Sequence, residues 1–368
     1  MLELGLMKFF VKPKPPFNFE LITSLYSRFP VQCVDLYSRG VYERVLRDED
    51  KLFLVRANSV GTIEKPKLQV EVFPKGVRKK FITTASSRIL QASMPGDEAQ
   101  SRRSRDRNAA YRSLSAKPNL SFGLPKETPS LSTRGGFIED KIKWILGTDD
   151  ELKGFYKITQ KEERLAPIIK NLYGLRAPKT PTVYEALIIA LTEQQIAFRV
   201  ALSLRKKLVE QYGESLGFEG EKYFAFPEPE ALAQAKPKEI RKLGLSIRKA
   251  EYIINVSQKV AQGKLDLEKM KNWEMKRVLE TLTKIRGLGP WTVEYMMCRG
   301  MGRYEALPAN DMGLRISLTK FLDKKERVSE KEVRKFLDHF GEHKGYAAFY
   351  LIYAYAFQKY PQERLLSA

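Results

Sequence analysis

From residue 137 almost to the end of the chain, apolar residues recur at helical spacing and are separated by Gly, Pro, Asn or Asp stops. Stretches such as TVYEALIIALTEQQIAFRVALSLRKKLVEQYGE and GYAAFYLIYAYAFQK carry this pattern, and no repeat of fixed period is evident. Amphipathic helices of this kind must bury their apolar faces against one another. The pattern therefore predicts an all-α region of about eight to ten helices.

The first part of the chain has a different pattern. The stretch VYERVLRDEDKLFLVRANSVGTI alternates apolar and polar residues in short runs, which is typical of half-buried strands. FELITSLYSRF predicts a short amphipathic helix after an N-cap at Asn18. We therefore expect an N-terminal α+β domain, a small antiparallel sheet with helices, made of residues 1–91 and a helical continuation at 137–175. The all-α domain would then span residues 176–368.

Residues 92–136 are rich in Ser, Arg, Pro and Gly and show no sustained apolar period. Such a composition cannot bury enough apolar surface to order the backbone. This segment is predicted to be a low-complexity insertion or linker and disordered.

Charge and cysteine content narrow the class of protein. The chain carries 65 Lys and Arg against 44 Asp and Glu, a net charge of +21. A thermophile-like surface explains many charges of both signs but not so large an excess of one, so the charge favours a nucleic-acid partner. The two cysteines, Cys33 and Cys298, are too few for a disulfide framework or a four-cysteine iron–sulfur cluster.

The N-terminal sequence lacks the uninterrupted apolar segment and cleavage site of a signal peptide. The longest nearly uncharged apolar stretch, residues 345–357, is too short to cross a bilayer. We therefore expect neither a signal peptide nor a transmembrane segment. A cytoplasmic or nucleoid-associated monomer without membrane contact is predicted.

A short hairpin is predicted at residues 284–290, where Gly287, Leu288 and Gly289 separate two helices and Pro290 opens the second. Glycines allow close approach to a ligand, and a helix N-terminus favours an anion, so this corner can hold a DNA phosphate. The alternative is an ordinary helix corner whose glycines only allow the bend.

Asp311 follows in the Pro-containing loop LPAND, just before the helix MGLRISLTKFL. An Asp in this position is usually an N-cap. Here it lies at short range after a corner that could grip DNA. A carboxylate facing a sugar can stabilise positive charge at C1′ and orient or deprotonate the attacking water.

These motifs resemble the helix–hairpin–helix (HhH-GPD) superfamily of base-excision DNA glycosylases, in particular its 3-methyladenine DNA glycosylase II type. The resemblance is carried by IRGLGPWTVEYMMCRG, LPANDMG, LTEQQIAFRVALSLRKKLVEQYGE and LGLSIRKAEYIINVSQKVAQGKL, and it covers nearly the whole chain except about residues 85–136. It implies an enzyme that hydrolyses the N-glycosidic bond of alkylated purines flipped out of duplex DNA. The predicted product is an abasic site, and no organic cofactor is needed.

The resemblance also assigns residues. Asp311 matches the essential aspartate, and Trp291 and Tyr295 match walls of the base pocket, with a further aromatic expected from Tyr350, Tyr353 or Tyr355. Members that also cut the strand use a lysine where this chain has Trp291, which implies a monofunctional enzyme.

The remaining assignments concern DNA. Gly287, Leu288 and Gly289 would contact its backbone. Gln195, with Gln194 beside it, would fill the gap left by the flipped base. The main-chain carbonyls of Thr283, Ile285 and Gly287 would hold one Na, K or Mg ion that bridges to phosphate.

Three alternatives stay open. A bifunctional oxidised-guanine glycosylase/lyase is disfavoured because the lysine is missing. A non-catalytic module that binds damaged DNA would share the charge and the hairpin but leave Asp311 only a capping role. His339 and His343 match the H-x-x-E-H pattern of zinc peptidases, although the glycines around them suggest a helix end.

Overall fold

A computed structural model of the chain describes residues 6–27, 33–76 and 132–359. Within these ranges the N-terminal part forms a five-stranded antiparallel sheet with the order β1-β5-β4-β3-β2. Its strands are β1 (Met7–Val11), β2 (Leu36–Ser38), β3 (Val41–Asp48), β4 (Lys51–Ser59) and β5 (Leu68–Pro74). The helix α1 (Phe19–Ser27) begins where Asn18 Oδ1 accepts the Leu21 N–H at 3.0 Å, which confirms the predicted N-cap.

The rest of the described chain is almost entirely helical, as predicted, but it forms thirteen α-helices rather than the eight to ten expected, because several short helices of five to eight residues separate the longer ones. Its helices are α2 (Ser132–Leu146), α3 (Lys153–Thr159), α4 (Ala166–Asn171), α5 (Val183–Glu193), α6 (Phe198–Tyr212), α7 (Pro229–Ala233), α8 (Pro237–Lys242), α9 (Ile247–Ala261), α10 (Met275–Leu282), α11 (Pro290–Met301), α12 (Met312–Phe321), α13 (Glu330–Leu337) and α14 (Lys344–Lys359). None of these described helices is long and apolar enough to cross a membrane.

One element departs from the predicted all-α domain. The strands β6 (Ser215–Phe218) and β7 (Glu221–Phe224) form an antiparallel hairpin between α6 and α7. Its two-residue turn has positive φ at both positions, 53° at Glu219 and 88° at Gly220. This is the turn geometry that matches the twist of a tight hairpin, so a Glu-Gly pair between two four-residue strands is enough to form it.

Apolar side chains of the described residues collect in two cores. In one core the inner face of the sheet packs with α1, α2 and the C-terminal helices α12 to α14, through residues such as Val55, Ile142 and Leu318. The second core lies among α5, α6, α9 and α11, with Leu187 and Val293 fully buried in it. The two helices that lead into and out of the 284–290 corner, α10 and α11, are therefore held by the second core.

The predicted domain boundaries stay predictions. Helix α2 begins at Ser132, a few residues before the predicted end of the 92–136 segment. Residues 92–131, with their predicted disorder, lie outside the described residues.

A buried charge cluster ties the sheet to α5. Arg44 on β3 is 2% exposed and lies 2.6 Å from Asp35 and 2.6 Å from Glu185 on α5. Removing one member of such a buried group would leave an uncompensated charge. The cluster therefore fixes α5, whose C-terminal end borders the candidate site, against the sheet.

Candidate active site

The 284–290 corner is a tight turn that requires glycine at one position. The Leu288 N–H donates to the Ile285 carbonyl at 3.0 Å, and Gly287 has a φ of +96°. A Cβ on Gly287 would overlap the ring of Tyr252 on α9. Both the backbone conformation and the close approach of Tyr252 therefore exclude a larger residue at position 287.

The three predicted hairpin residues have different surroundings. Leu288 is 2% exposed, so its side chain anchors the turn in the core and its N–H is used within the turn. Gly289 is the N-cap of α11, and a Cβ there would meet open space. The backbone around Gly289, at a helix N-terminus, is thus the part of the corner that an external phosphate can approach.

Helix α11 presents a stripe of residues to a large cleft. Trp291, Tyr295 and Arg299 follow one another at four-residue intervals and all line a cleft of about 1480 Å³. The ring centroids of Trp291 and Tyr295 are 5.4 Å apart, with their planes tilted by 39°. The two predicted pocket aromatics thus form one continuous wall of this cleft.

Asp311 lies opposite the start of this stripe and is the N-cap of α12. Its Oδ1 accepts the Leu314 N–H at 2.9 Å, and its Oδ2 accepts the indole Nε1–H of Trp291 at 3.2 Å. Burial raises the pKa of Asp311, while the Leu314 and Trp291 hydrogen bonds oppose that rise. The residue is therefore both an N-cap and a carboxylate that lines the cleft.

The loop before Asp311 is held from outside the cleft. Arg334 on α13 donates to Glu294 on α11 at 3.0 Å and to the Leu307 carbonyl at 3.3 Å. Burial raises the pKa of Glu294, and Arg334 opposes this. The ion pair thus fixes the distance between α11 and the loop that delivers Asp311.

The two adjacent glutamines differ in what they contact. Gln194 Nε2 donates to the Gly287 carbonyl at 2.9 Å and lies 2.7 Å from Thr292 Oγ1, so Gln194 braces the hairpin. Gln195 is exposed and has a φ of +54° at the tip of the turn between α5 and α6. Gln195, rather than Gln194, is therefore the glutamine whose side chain is exposed at this turn.

The predicted cation ligands can be tested against the same contacts. Carbonyl oxygens suit hard cations such as Na, K and Mg. The Gly287 carbonyl, however, faces the amide donor of Gln194, and the Ile285 carbonyl accepts the Leu288 N–H. The Gly287 and Ile285 carbonyls thus each already accept one hydrogen bond, and all three residues border the cleft.

The packing of α14 shows which of Tyr350, Tyr353 and Tyr355 border the cleft. Tyr350 is buried in the core, where its hydroxyl donates to the Leu175 carbonyl at 2.9 Å. Phe349, Tyr353 and Tyr355 line the cleft. Tyr350 is therefore not a pocket wall, and Phe349 is a cleft aromatic that the sequence did not single out.

Other cleft residues were also missed. Glu193, Arg205 and Arg299 all line the cleft beside Tyr295. The sequence offers a signal for two of them. Glu193 directly precedes the glutamine pair, and Arg299 continues the four-residue spacing of Trp291 and Tyr295.

The zinc-peptidase alternative finds no support in the geometry. Gly341 breaks the helix between the histidines with φ 54° and ψ −123°. Over the ranges that the structure describes, no group of three His, Cys, Asp or Glu side chains could hold a metal ion.

The fold and the site define a class of helical DNA-repair enzymes. Residues 188–342 match the model of the HhH-GPD superfamily base excision DNA repair proteins. A solved structure, the 3-methyladenine DNA-glycosylase from Archaeoglobus fulgidus, shares the fold with a TM-score of 0.69 at 22% identity, covering 96% of this chain and 99% of that one. The 8-oxoguanine glycosylase/lyase of Clostridium acetobutylicum also shares the fold, with a TM-score of 0.64 at 16% identity and coverage of 96% and 98%.

Sequence similarity is more specific than the shared fold. The DNA-3-methyladenine glycosylase of Bacillus subtilis (strain 168) is 32% identical over 216 residues, which cover 58% of this chain and 71% of that protein. The chain belongs to the HhH-GPD superfamily and, within it, to the DNA-3-methyladenine glycosylase type.

Proposed function

We propose that this chain is a monofunctional DNA glycosylase of base-excision repair, which hydrolyses the N-glycosidic bond of alkylated purines and leaves an abasic site. The observation that carries the proposal is the hydrogen bond from Trp291 to Asp311 at 3.2 Å inside the cleft. It joins an aromatic wall that can stack a base to a carboxylate that can act on the attached sugar. The relationship to a DNA-3-methyladenine glycosylase supports the same lesion class.

Duplex DNA would be bound through the corner at Gly289 and the positive charge of the chain. The net charge of +21 supplies attraction that does not depend on sequence and that salt weakens. The exposed backbone at the N-terminus of α11 would fix one phosphate near the cleft. Gln195, exposed at the turn between α5 and α6, would occupy the gap in the base stack.

The flipped base would stack on Trp291 and Tyr295. Alkylation at a ring nitrogen makes a purine cationic, and electron-rich aromatic faces attract cations. The wall formed by these two rings therefore favours an alkylated purine over an undamaged neutral one.

Asp311 would perform the chemical step in its ionised form. As the bond between C1′ and the base nitrogen breaks, its electron pair leaves with the base and positive charge develops on the sugar. The carboxylate of Asp311 stabilises that charge and takes a proton from the water that adds to C1′. The hydrogen bonds from Leu314 and Trp291 keep the carboxylate oriented during this step.

Hydrolysis without strand cleavage is supported by the residue that directly follows the hairpin glycines and Pro290. A lyase step requires an amine that attacks C1′, and position 291 holds an indole instead. Lys179, which also lines the cleft, is held by Asp150 at 2.6 Å and is nearly fully buried. Neither residue offers a free amine to the sugar.

A single cation at the main-chain carbonyls of Thr283, Ile285 and Gly287 is part of the proposal, as are a monomeric state and action in the cytoplasm or on the nucleoid. No step of the reaction proposed above uses this cation. Light scattering of the purified chain alone and with a short duplex tests the monomer, since a mass of two chains would contradict it.

The function is tested by incubating the full chain with duplexes that contain 3-methyladenine, 7-methylguanine, hypoxanthine or 8-oxoguanine. We expect release of free alkylated base, strand breaks only after alkali, and no borohydride-trapped adduct. Release of 8-oxoguanine alone, or strand cleavage without alkali, would contradict the proposal.

A further inference from the structure

Glu193 is a second carboxylate in the cleft, and the mechanism proposed above gives it no role. It is the last residue of α5, its side chain is 10% exposed, and it lines the same cleft as Asp311. Burial raises the pKa of Glu193, and the guanidinium of Arg205 opposes that rise. An acidic side chain at such depth is kept only where its oxygens have partners or a function.

The known partners of Glu193 hold it in place without using all its acceptor positions. Arg205 Nη1 on α6 donates to its Oε1 at 3.1 Å, and the side chains of Tyr295 and Glu193 are close enough to influence each other's pKa. An ionised carboxylate offers about four acceptor positions. The group is therefore oriented by Arg205 and can accept further hydrogen bonds from a molecule in the cleft.

The carboxylate of Glu193 lies beside the aromatic wall. Tyr295 is one of the two rings on which a flipped base would stack, and it lines the same cleft as Glu193, close enough for the two side chains to influence each other's pKa. A base lying on the ring would therefore bring one of its edges, with its exocyclic groups, toward the carboxylate. Asp311 contacts the other ring, so the two carboxylates face different parts of a bound nucleoside.

A donor lies on the same stripe. Arg299, one turn after Tyr295 on α11, lines the cleft, and its Nε has no hydrogen-bond partner among the residues that the structure describes. Arg299 and Glu193 are close enough to influence each other's charge. The edge of the pocket beyond Tyr295 thus combines an acceptor with a donor, which is what reading a purine edge requires.

We propose that Glu193 is the specificity-determining residue of this pocket, selecting flipped purines that carry a positive charge over neutral ones. This inference rests on the proposed glycosylase function and adds the residue that chooses among lesions. 3-Methyladenine and 7-methylguanine meet this condition, because each is cationic in DNA. Hypoxanthine is neutral and therefore gains no such attraction from an ionised carboxylate.

The test compares single-turnover base release from duplexes that contain 7-methylguanine or hypoxanthine, using the full chain. For Glu193→Gln, which keeps the shape and an acceptor for Arg205, we expect the ratio of the 7-methylguanine rate to the hypoxanthine rate to fall at least about tenfold. Glu193→Asp, which keeps the charge, should retain most of the ratio and guards against a folding defect in the first variant.

Glu210→Gln is the matched control. Glu210 lies on α6 and, like Glu193, pairs with a basic residue of that helix, here Lys206 at 3.4 Å. Unlike Glu193, it does not line the cleft. This variant should leave the ratio unchanged.

Equal loss on both lesions in Glu193→Gln would mean a structural role and overturn the inference, as would an unchanged ratio. Failure of the proposed function is distinguishable, because the wild-type chain would then release no base from either duplex.

Discussion

The indole nitrogen of Trp291 donates a hydrogen bond to Oδ2 of Asp311 at 3.2 Å, across the corner between α11 and α12. The same Trp291 ring forms one wall of the cleft together with Tyr295. Contact with the base and orientation of the carboxylate therefore depend on one side chain. A base stacked on this ring is placed beside Asp311 without any further element.

Replacing Trp291 by Phe separates these two roles, because Phe keeps an aromatic face but cannot donate to Asp311. A hydrogen bond to a charged group contributes about 1.5–3 kcal/mol, so we expect a loss of about 10- to 100-fold in the single-turnover rate of base release. Trp144→Phe is the control, since it removes an indole hydrogen bond, to the Thr180 carbonyl, from a tryptophan that does not line the cleft. Equal effects of the two substitutions would contradict the role of Trp291.

The hairpin glycines should respond differently to alanine. Gly287→Ala places a Cβ against Tyr252 at a positive φ, and we expect a loss of at least about 2 kcal/mol in the free energy of unfolding. Gly289→Ala meets open space at φ −80°, so stability should change by less than about 0.5 kcal/mol. Duplex affinity should nevertheless fall in Gly289→Ala, because the new methyl group lies where the phosphate would approach. Urea unfolding and fluorescence anisotropy measure the two effects.

The two neighbouring glutamines form a further pair. Gln194→Ala removes both contacts that brace the hairpin and should destabilise the fold by about 1–3 kcal/mol. Gln195→Gly removes the strain of a non-glycine residue at positive φ, but it also adds conformational freedom to the unfolded chain. The two effects oppose each other, so the free energy of unfolding should change by less than about 1 kcal/mol. Base flipping, followed by the fluorescence of 2-aminopurine beside the lesion, should weaken in Gln195→Gly. Unchanged fluorescence in that variant would exclude Gln195 as the side chain that fills the gap.

The pH dependence follows from the raised pKa of Asp311. Only the ionised carboxylate can stabilise a positive sugar, so the rate of base release should fall as pH decreases through a pKa above the ordinary aspartate value.

The contribution of Asp311 to the stability of the fold should change with pH in the opposite direction. A group whose pKa is raised by folding stabilises the fold at pH below its unfolded pKa, and that contribution is lost as pH rises through the folded pKa. Asp311→Asn, which retains a good N-cap, should therefore be at least as stable as the wild type at neutral pH. A lower melting temperature for this variant at pH 7, measured by circular dichroism, would contradict that sign.

The local features of the fold could be predicted because they depend on nearby residues. Apolar periodicity located the helices, and Asn18 marked the start of α1. The hairpin of β6 and β7 could not be predicted, because four-residue strands show too little alternation of apolar and polar residues to be distinguished from the helical sequence around them. Its only local signal was the Glu219–Gly220 turn, which fixes the hairpin through two positive φ values.

The candidate site, too, could be predicted from the sequence only in part. Asp311, Trp291 and Tyr295 lie on contiguous motifs, and the structure brings them to one cleft. Sequence could not show that Leu288 points into the core or which glutamine points outward, since both depend on the backbone angles of tight turns. Glu193 was missed because its partner Arg205 and its cleft neighbour Tyr295 come from other helices and approach it only after α5, α6 and α11 pack together.

The central claim, that Asp311 performs the chemistry of an alkylpurine glycosylase, is tested most directly by single-turnover release of 7-methylguanine from a duplex. Wild type and Asp311→Asn are compared at a protein concentration that saturates the DNA. We expect the wild type to release the base and the variant to be slower by about 100- to 1,000-fold while duplex binding is retained. Undiminished release by Asp311→Asn would contradict the account.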